Sequence, residues 1–332
     1  MLLAVLVAAL SLGRGVMLPG SVVTEDDFRT LSEWKANLVR YQMHPYGRFK
    51  LDWGASEAEE LAFFDRWFSE RLDYLERTVL PLSRKYGMRV VVDMHLPPGR
   101  KKDEKAKQYE MLNNQAYADR FVSAWTETAR RFAGNEDIIY GYDLINEPFQ
   151  GGEALFDYRD LQERAAKAIR GIDAKTPIVV ESNWFDSPAA FKEMRPMDVT
   201  NVIYEFHLYW PMEFTHQGIH GYAKGMRYPD DSKGWNKTGL VRELSAALEF
   251  REKYGVKLYC GEFSAINWAK GADLWISDMI ALLEEHGIDW TFHAFREWPG
   301  WSVEHVGPDI GSMMPSKDNP RMRALKDGLK GR

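Results

Sequence analysis

The residues of this chain best suited to chemistry are Arg40, His95, Asn146, Glu147, Trp184, His207, Tyr209, Glu262, His293 and Trp298. The glutamates Glu147 and Glu262 each follow a short apolar run of strand character, Ile138 to Leu144 and Lys257 to Gly261. Two carboxyl groups about 5 Å apart can cleave a glycosidic bond with retention, one protonating the leaving oxygen while the other attacks the anomeric carbon. The attacking carboxylate has to stay ionised, which Arg40 and a phenol such as Tyr209 would favour; its partner needs a proton, which neighbouring negative charge and partial burial would favour. His207 is placed to hold the acid carboxyl, and Asn146 to bond the hydroxyl beside the anomeric carbon as positive charge develops there. Each residue also has a plainer reading. A glutamate after a strand can be a loop charge or part of a helix cap, Arg40 a buried ion-pair partner, and the histidines structural. Trp184 and Trp298 are candidate sugar-stacking rings, whereas Trp210, Trp235 and Trp301 read equally as loop packing.

The elements that must position these residues follow a repeating pattern. Apolar runs of strand character, Gly15 to Leu18, Asn37 to Gln42, Met88 to Met94, Ile138 to Leu144, Ile178 to Glu181, Val202 to Leu208, Lys257 to Gly261 and Asp289 to Ala294, alternate with helical stretches. Leu61, Phe64, Phe68, Leu72, Leu75 and Val79 share one helical face, and Gly87 stands where the following turn is needed. Thr24 with Asp27 forms the pattern of a capping box. A shorter helix is expected around Ala189 to Met194, and long loops at Pro97 to Asn113 and Tyr209 to Trp235. Eight β-α units predict a single α/β domain, a (β/α)8 TIM barrel over residues 12–332 with enlarged loops at its carboxyl-end face. An open doubly wound sheet is disfavoured, because no glycine-rich phosphate loop follows the first strand. Closure matters for function: active sites in such barrels lie at the carboxyl ends of the strands, and strands four and seven face each other across the mouth.

Gly141, Tyr142, Asp143, Leu144, Ile145, Asn146, Glu147 and Pro148 together resemble the strand-four signature of glycoside hydrolase family 5. The resemblance extends, in the family's order, to Arg40, to Asp93–Met94–His95, to His207–Leu208–Tyr209 and to Gly261 before Glu262. It implies Glu147 as acid/base, Glu262 as nucleophile, and Arg40, His95, Asn146, His207 and Tyr209 around the attacked sugar. One departure stands out. The family usually has a tryptophan floor at the end of strand eight, whereas His293 falls in that register here, with Trp298 or Trp301 available from the loop. The resulting expectation is a retaining hydrolase of β-linked polysaccharide or oligosaccharide, foremost an endo-β-1,4-glucanase. Mannan, xylan, β-1,3-glucan and β-glucoside substrates are the alternatives within the family, and a non-catalytic carbohydrate-binding barrel is the alternative of another class.

Bulk properties fit a glycan partner and exclude others. Lys and Arg number 43 against 49 Asp and Glu, and no basic stripe interleaved with aromatics is present to bind a phosphate backbone. The 12 Trp and 15 Tyr supply flat apolar faces for sugar rings. Cys260 is the single cysteine, so an intrachain disulfide or cysteine metal cluster is ruled out, and it reads as a small core residue. The spacings of metal-dependent barrel hydrolases are missing, so neither metal nor cofactor is expected. Residues 1–11 are an apolar lead, with Leu2 to Leu10 short of a membrane span but compatible with a secretory signal. A secreted or periplasmic monomer is expected, or a cytoplasmic one if that lead is not a signal.

Overall fold

The computed structural model describes residues 12–45, 55–99, 102–103 and 108–331. The lead, 1–11, and part of the lysine-rich loop lie outside the described residues. Eight parallel strands close into a barrel: β1 Arg14–Met17, β2 Leu38–Gln42, β3 Arg89–Asp93, β4 Ile139–Asp143, β5 Ile178–Glu181, β6 Val202–His207, β7 Lys257–Glu262 and β8 Asp289–Phe292. Each strand pairs with its neighbours in chain order, and β8 returns to β1. The expected (β/α)8 architecture is therefore present, with β5 as expected, the other strands displaced by one or two residues at one or both ends, and β8 ending before His293.

Local chemistry sets where the helices begin. Thr24 caps α1, Glu25–Glu33, in a complete capping box with Asp27; Ser56 and Glu59 do the same for α2, Glu57–Tyr74, which starts ahead of the apolar face that opens at Leu61. A π-helical turn, Leu75–Val79, joins α2 to α3, Leu80–Tyr86, which Gly87 ends at φ +72°. The fourth and fifth α-helices are α4, Gln115–Phe132, and α5, Tyr158–Arg170. The fifth unit departs from the pattern. Instead of a helix over Ala189 to Met194, β5 is followed by a short turn and a 3-10 segment, Pro188–Lys192, whose Phe191 packs edge-on against Phe250 at 5.3 Å. Phe250 belongs to α6, Lys237–Tyr254; α7, Ala272–Glu285, and α8, Pro320–Lys330, complete the ring.

Two apolar layers result from the strand alternation. Leu38, Val91, Tyr140, Val179, Ile203 and Tyr259 fill the barrel interior, while Val39, Val90, Val92, Ile139, Tyr142 and Cys260 belong to the layer under the helices. Tyr140 and Tyr142 lie two residues apart on opposite faces, which an unbroken strand forbids. The register between β3 and β4 shifts at that point, from Val90 opposite Ile139 to Val91 opposite Gly141. This bulge leaves Asp143 on the inner face, where it meets Arg40. Gly15 is needed for closure: a Cβ there would lie 1.7 Å from the carbonyl oxygen of Leu38. That backbone is fixed by the β1–β2 pairing, so Gly15→Ala is expected to cost at least about 3 kcal/mol. Chemical denaturation of the variant checks this, and a midpoint equal to wild type would mean the strands can part.

Candidate active site

The mouth of the barrel is organised around Arg40, which β2 buries completely. Its Nη1 donates to Glu262 Oε1 at 2.7 Å, and its Nη2 to Asp143 Oδ2 at 2.8 Å, Glu181 Oε1 at 3.0 Å and Asn146 Oδ1 at 3.1 Å. Asp93 and Glu205 approach within 3.4 and 3.5 Å. One guanidinium thus faces carboxylates from β3, β4, β5, β6 and β7.

Glu262 ends β7 with 4% of its surface exposed. A second register shift aims it: Phe206 faces Cys260 but His207 faces Glu262, with Gly261 the extra residue. A Cβ on Gly261 would fall 1.4 Å from Glu205 Oε1, so only glycine fits beside that buried carboxyl. Tyr209 donates its hydroxyl hydrogen to Glu262 Oε2 at 2.7 Å. Burial opposes ionisation of Glu262, but the charges of His207, His293 and Arg40 outweigh it and hold the carboxyl well below its usual range.

Glu147 follows β4 with a left-handed backbone, φ +49°, a conformation that costs a non-glycine residue on the order of 1–2 kcal/mol. Its N–H donates to Glu181 Oε2 at 2.5 Å, which holds the strained residue in place. Its carboxylate lies 3.2 Å from His207 Nδ1, and one of its oxygens is within 4.8 Å of one from Glu262. His207 Nε2 is 3.2 Å from Glu205 Oε1.

The remaining expected residues divide by position. His95 bonds Asp93 through Nδ1 at 2.8 Å, and Asn146 is oriented by Arg40. His293, directly after β8, reaches Tyr209 at 2.5 Å and Glu297 at 2.9 Å. Trp184 stands apart on the rim after β5. It is 48% exposed and begins a run of left-handed residues, Trp184, Phe185 and Asp186, which Asp186 and Asn183 tie down by accepting from Ser182 N and Gln150 N. Trp298 lies one ring away from the site: it meets Trp301 edge-on at 5.7 Å, and Trp301 in turn faces Tyr209, His216 and His293.

A layer of buried acids lies beneath the site, of which only Asp93 and Asp143 fall within the sequence motifs. Asp93, Asp143, Glu181, Asp186 and Glu205 are all fully buried. Charged residues inside otherwise apolar strands were the available signal. Burial pushes Asp143 up to about 6 and Glu181, Asp186 and Glu205 well above the carboxylate range, against the pull of Arg40. Asp143 Oδ1 and Glu205 Oε2 accept no hydrogen bond among the described residues, a state that costs a neutral carboxyl less than an ionised one. Glu181, Asp186, Glu205 and His207 bring ligating atoms within 4.8 Å of one another, a spacing a divalent cation accepts. Arg40 already lies 3.0 Å from Glu181 and 3.5 Å from Glu205, so a cation there would sit beside a fixed positive charge.

The cellulase (glycosyl hydrolase family 5) profile matches residues 13–297. Endoglucanase C of Acetivibrio thermocellus is 31% identical over 297 residues, covering 80% of this chain and 82% of its own. Cellodextrinase A of Ruminococcus flavefaciens is 26% identical over 282 residues, covering 83% of this chain and 79% of its own. Among solved structures, endoglucanase Cel5A of Thermotoga maritima shares the fold, with a TM-score of 0.70 at 23% identity over 96% of each chain.

The acid layer makes stability pH-dependent. A carboxyl whose pKa is raised by folding keeps a proton that the unfolded chain has released, so wild type loses stability as pH rises from the unfolded value near 4 towards the folded one, by about 1.4 kcal/mol per unit for one group. Glu205→Gln carries no such proton. The stability of Glu205→Gln relative to wild type is therefore expected to improve as pH rises from about 5 to about 8. Thermal unfolding of both proteins across that range tests this, and a constant difference would show Glu205 ionised throughout.

Proposed function

This chain belongs to glycosyl hydrolase family 5, and from that premise we propose that Glu147 is its acid/base, Glu262 its nucleophile, and internal bonds of β-1,4-glucan its substrate. The chain is a glycosyl hydrolase, and its family works by double displacement with retention. The observation that carries the residue assignment is the approach of the Glu147 and Glu262 carboxylates to within 4.8 Å from opposite sides of the mouth. Retaining enzymes hold their carboxyl groups about 5–5.5 Å apart, whereas inverting ones leave about 6.5–9.5 Å for a water.

In the first step Glu262 attacks the anomeric carbon while Glu147 gives its proton to the glycosidic oxygen; the C–O bond breaks and the leaving sugar departs as an alcohol. In the second, Glu147 takes a proton from water, the resulting hydroxide attacks the same carbon, and the ester bond returns its electron pair to Glu262. Arg40 and Tyr209 keep the nucleophile ionised before attack and accept its charge again afterwards. His207 orients Glu147, and Asn146, its oxygen taken by Arg40, turns its N–H groups to the neighbouring sugar hydroxyl. Support for β-1,4-glucan comes from relatives named for endoglucanase and cellodextrinase activity, and the exposed Trp184 ring offers a stacking face for a chain extending beyond the cleavage point.

Reducing-sugar release from glucan, mannan and xylan, with the viscosity of a soluble cellulose derivative, is expected to show rapid chain scission on β-1,4-glucan; release confined to another polysaccharide would overturn the substrate assignment. The roles are separated by azide. Glu262→Ala and Glu147→Ala should each lose at least about 10³-fold on unactivated polysaccharide. With an activated β-glycoside and azide, Glu262→Ala should yield the α-glycosyl azide and Glu147→Ala the β-anomer. Identical anomers by proton NMR would mean that the roles are misassigned.

A further inference from the structure

We propose that His293, clamped by Glu297, stands as an imidazolium against Glu262 and is a positioning residue that holds the Tyr209 phenol and the nucleophile in their reactive arrangement. The inference rests on Glu262 being the nucleophile.

Hydrogen-bond arithmetic leads to it. The Tyr209 hydroxyl lies 2.7 Å from Glu262 Oε2 and 2.5 Å from His293 Nδ1, and it has one hydrogen to give. An ionised Glu262 accepts only, so the phenol donates to it and accepts from Nδ1–H of His293. On the other side of the ring, Nε2 lies 2.9 Å from Glu297 Oε2. That carboxylate also accepts only, so Nε2 carries a hydrogen as well. Both ring nitrogens are then protonated, and the ring is a cation.

The surroundings agree with this charge. His293 Nδ1 is itself 3.4 Å from Glu262 Oε2, so the nucleophile is flanked by Arg40 on one oxygen and by the Tyr209–His293 pair on the other. Glu147 adds negative charge from across the mouth, and Arg40 and His95 add positive charge behind Glu262. His216, which packs against Tyr209, is driven by burial to about 4 and is neutral. Trp301 adjoins the His293 ring, tilted to it by 36° with the ring centres 5.9 Å apart. Burial alone would strip the proton from His293, but Glu262 and Glu297 reverse this and push it up to about 9, while Glu297 is held below the usual carboxylate range.

Glu297 has a separate task in turnover. When Glu262 becomes a neutral ester it no longer supports a positive charge on His293, and Glu297 is the carboxylate that still does. Removing the Glu297 charge should let His293 lose its proton at lower pH, freeing the phenol to turn towards the unprotonated Nδ1 and away from Glu262.

The test uses the full chain labelled with ¹⁵N-histidine, His293→Phe serving to assign the resonance by difference. At about pH 7 both ring nitrogens of His293 are expected in the protonated range, and Glu297→Gln should lower the titration midpoint by about one pH unit or more. In parallel, the alkaline limb of kcat/KM for an activated β-glycoside should move to lower pH by a similar amount in Glu297→Gln, with kcat affected more than KM. His293→Phe, which keeps a ring but neither hydrogen bond, should lose about tenfold or more in kcat and should no longer respond to Glu297→Gln. A neutral His293 at pH 7, or a Glu297→Gln profile superimposable on wild type, would overturn the proposal. The nuclear resonance reads the proton without turnover, so absence of glycosidase activity would count against the functional assignment and leave this measurement intact.

Discussion

The buried guanidinium of Arg40 is the interaction on which the site depends. Taking a charge out of water costs several kcal/mol, and the cost is offset only where partners surround it completely. Here the partners come from five other strands, so the guanidinium serves as a hub that ties the carboxyl ends of the barrel together. Arginine suits the task because its planar fork presents several donors in fixed directions while its charge persists at any working pH. A lysine could answer one or two of these carboxylates but not Asp143, Glu181, Asn146 and Glu262 together.

More acids meet this hub than one cation can neutralise. The surplus is met by protons that burial retains on Glu181, Asp186 and Glu205, while Glu262, where Arg40 is joined by histidine charge, stays ionised. The same layer steers the second carboxyl: Glu181 accepts from the strained Glu147 backbone, and Glu205 backs the His207 ring that reaches the Glu147 side chain. Stability given up in burying acids and in a left-handed glutamate is thus coupled to the placement of the Glu147 and Glu262 carboxyls. Two bulges complete the arrangement, one turning Asp143 inward and one carrying Glu262 past Gly261 into the mouth.

His293 changes the character of the barrel mouth after β8. Where relatives of this family usually place an indole after strand eight, this chain has an imidazole bonded to Tyr209 and Glu297, with the Trp301 ring tilted beside it. A flat apolar ring is exchanged for a polar one that lies 3.4 Å from Glu262 Oε2. The aromatic surface remains close by, in the Trp301 ring that packs on Tyr209 and His216.

Periodicity and cap chemistry made much of this molecule legible in its sequence. The alternation of apolar runs with helical faces specified eight β-α units, β5 to the residue, and Thr24 with Asp27 and Gly87 marked helix ends, because these signals depend on neighbours a few residues apart. Arg40, Glu147, His207, Tyr209 and Glu262 could be singled out as polar residues at or near the carboxyl ends of such runs, and they converge at the barrel mouth. The tertiary structure alone decided the rest. The bulges at Tyr140–Gly141 and Gly261, the left-handed turns at Glu147 and Trp184, the absence of the expected helix from the fifth unit, the burial of the acid layer and the His293–Glu297 contact have no local pattern. Each is set by hydrogen bonds, charge or close packing between residues distant in the chain, and those contacts exist only once the barrel has closed.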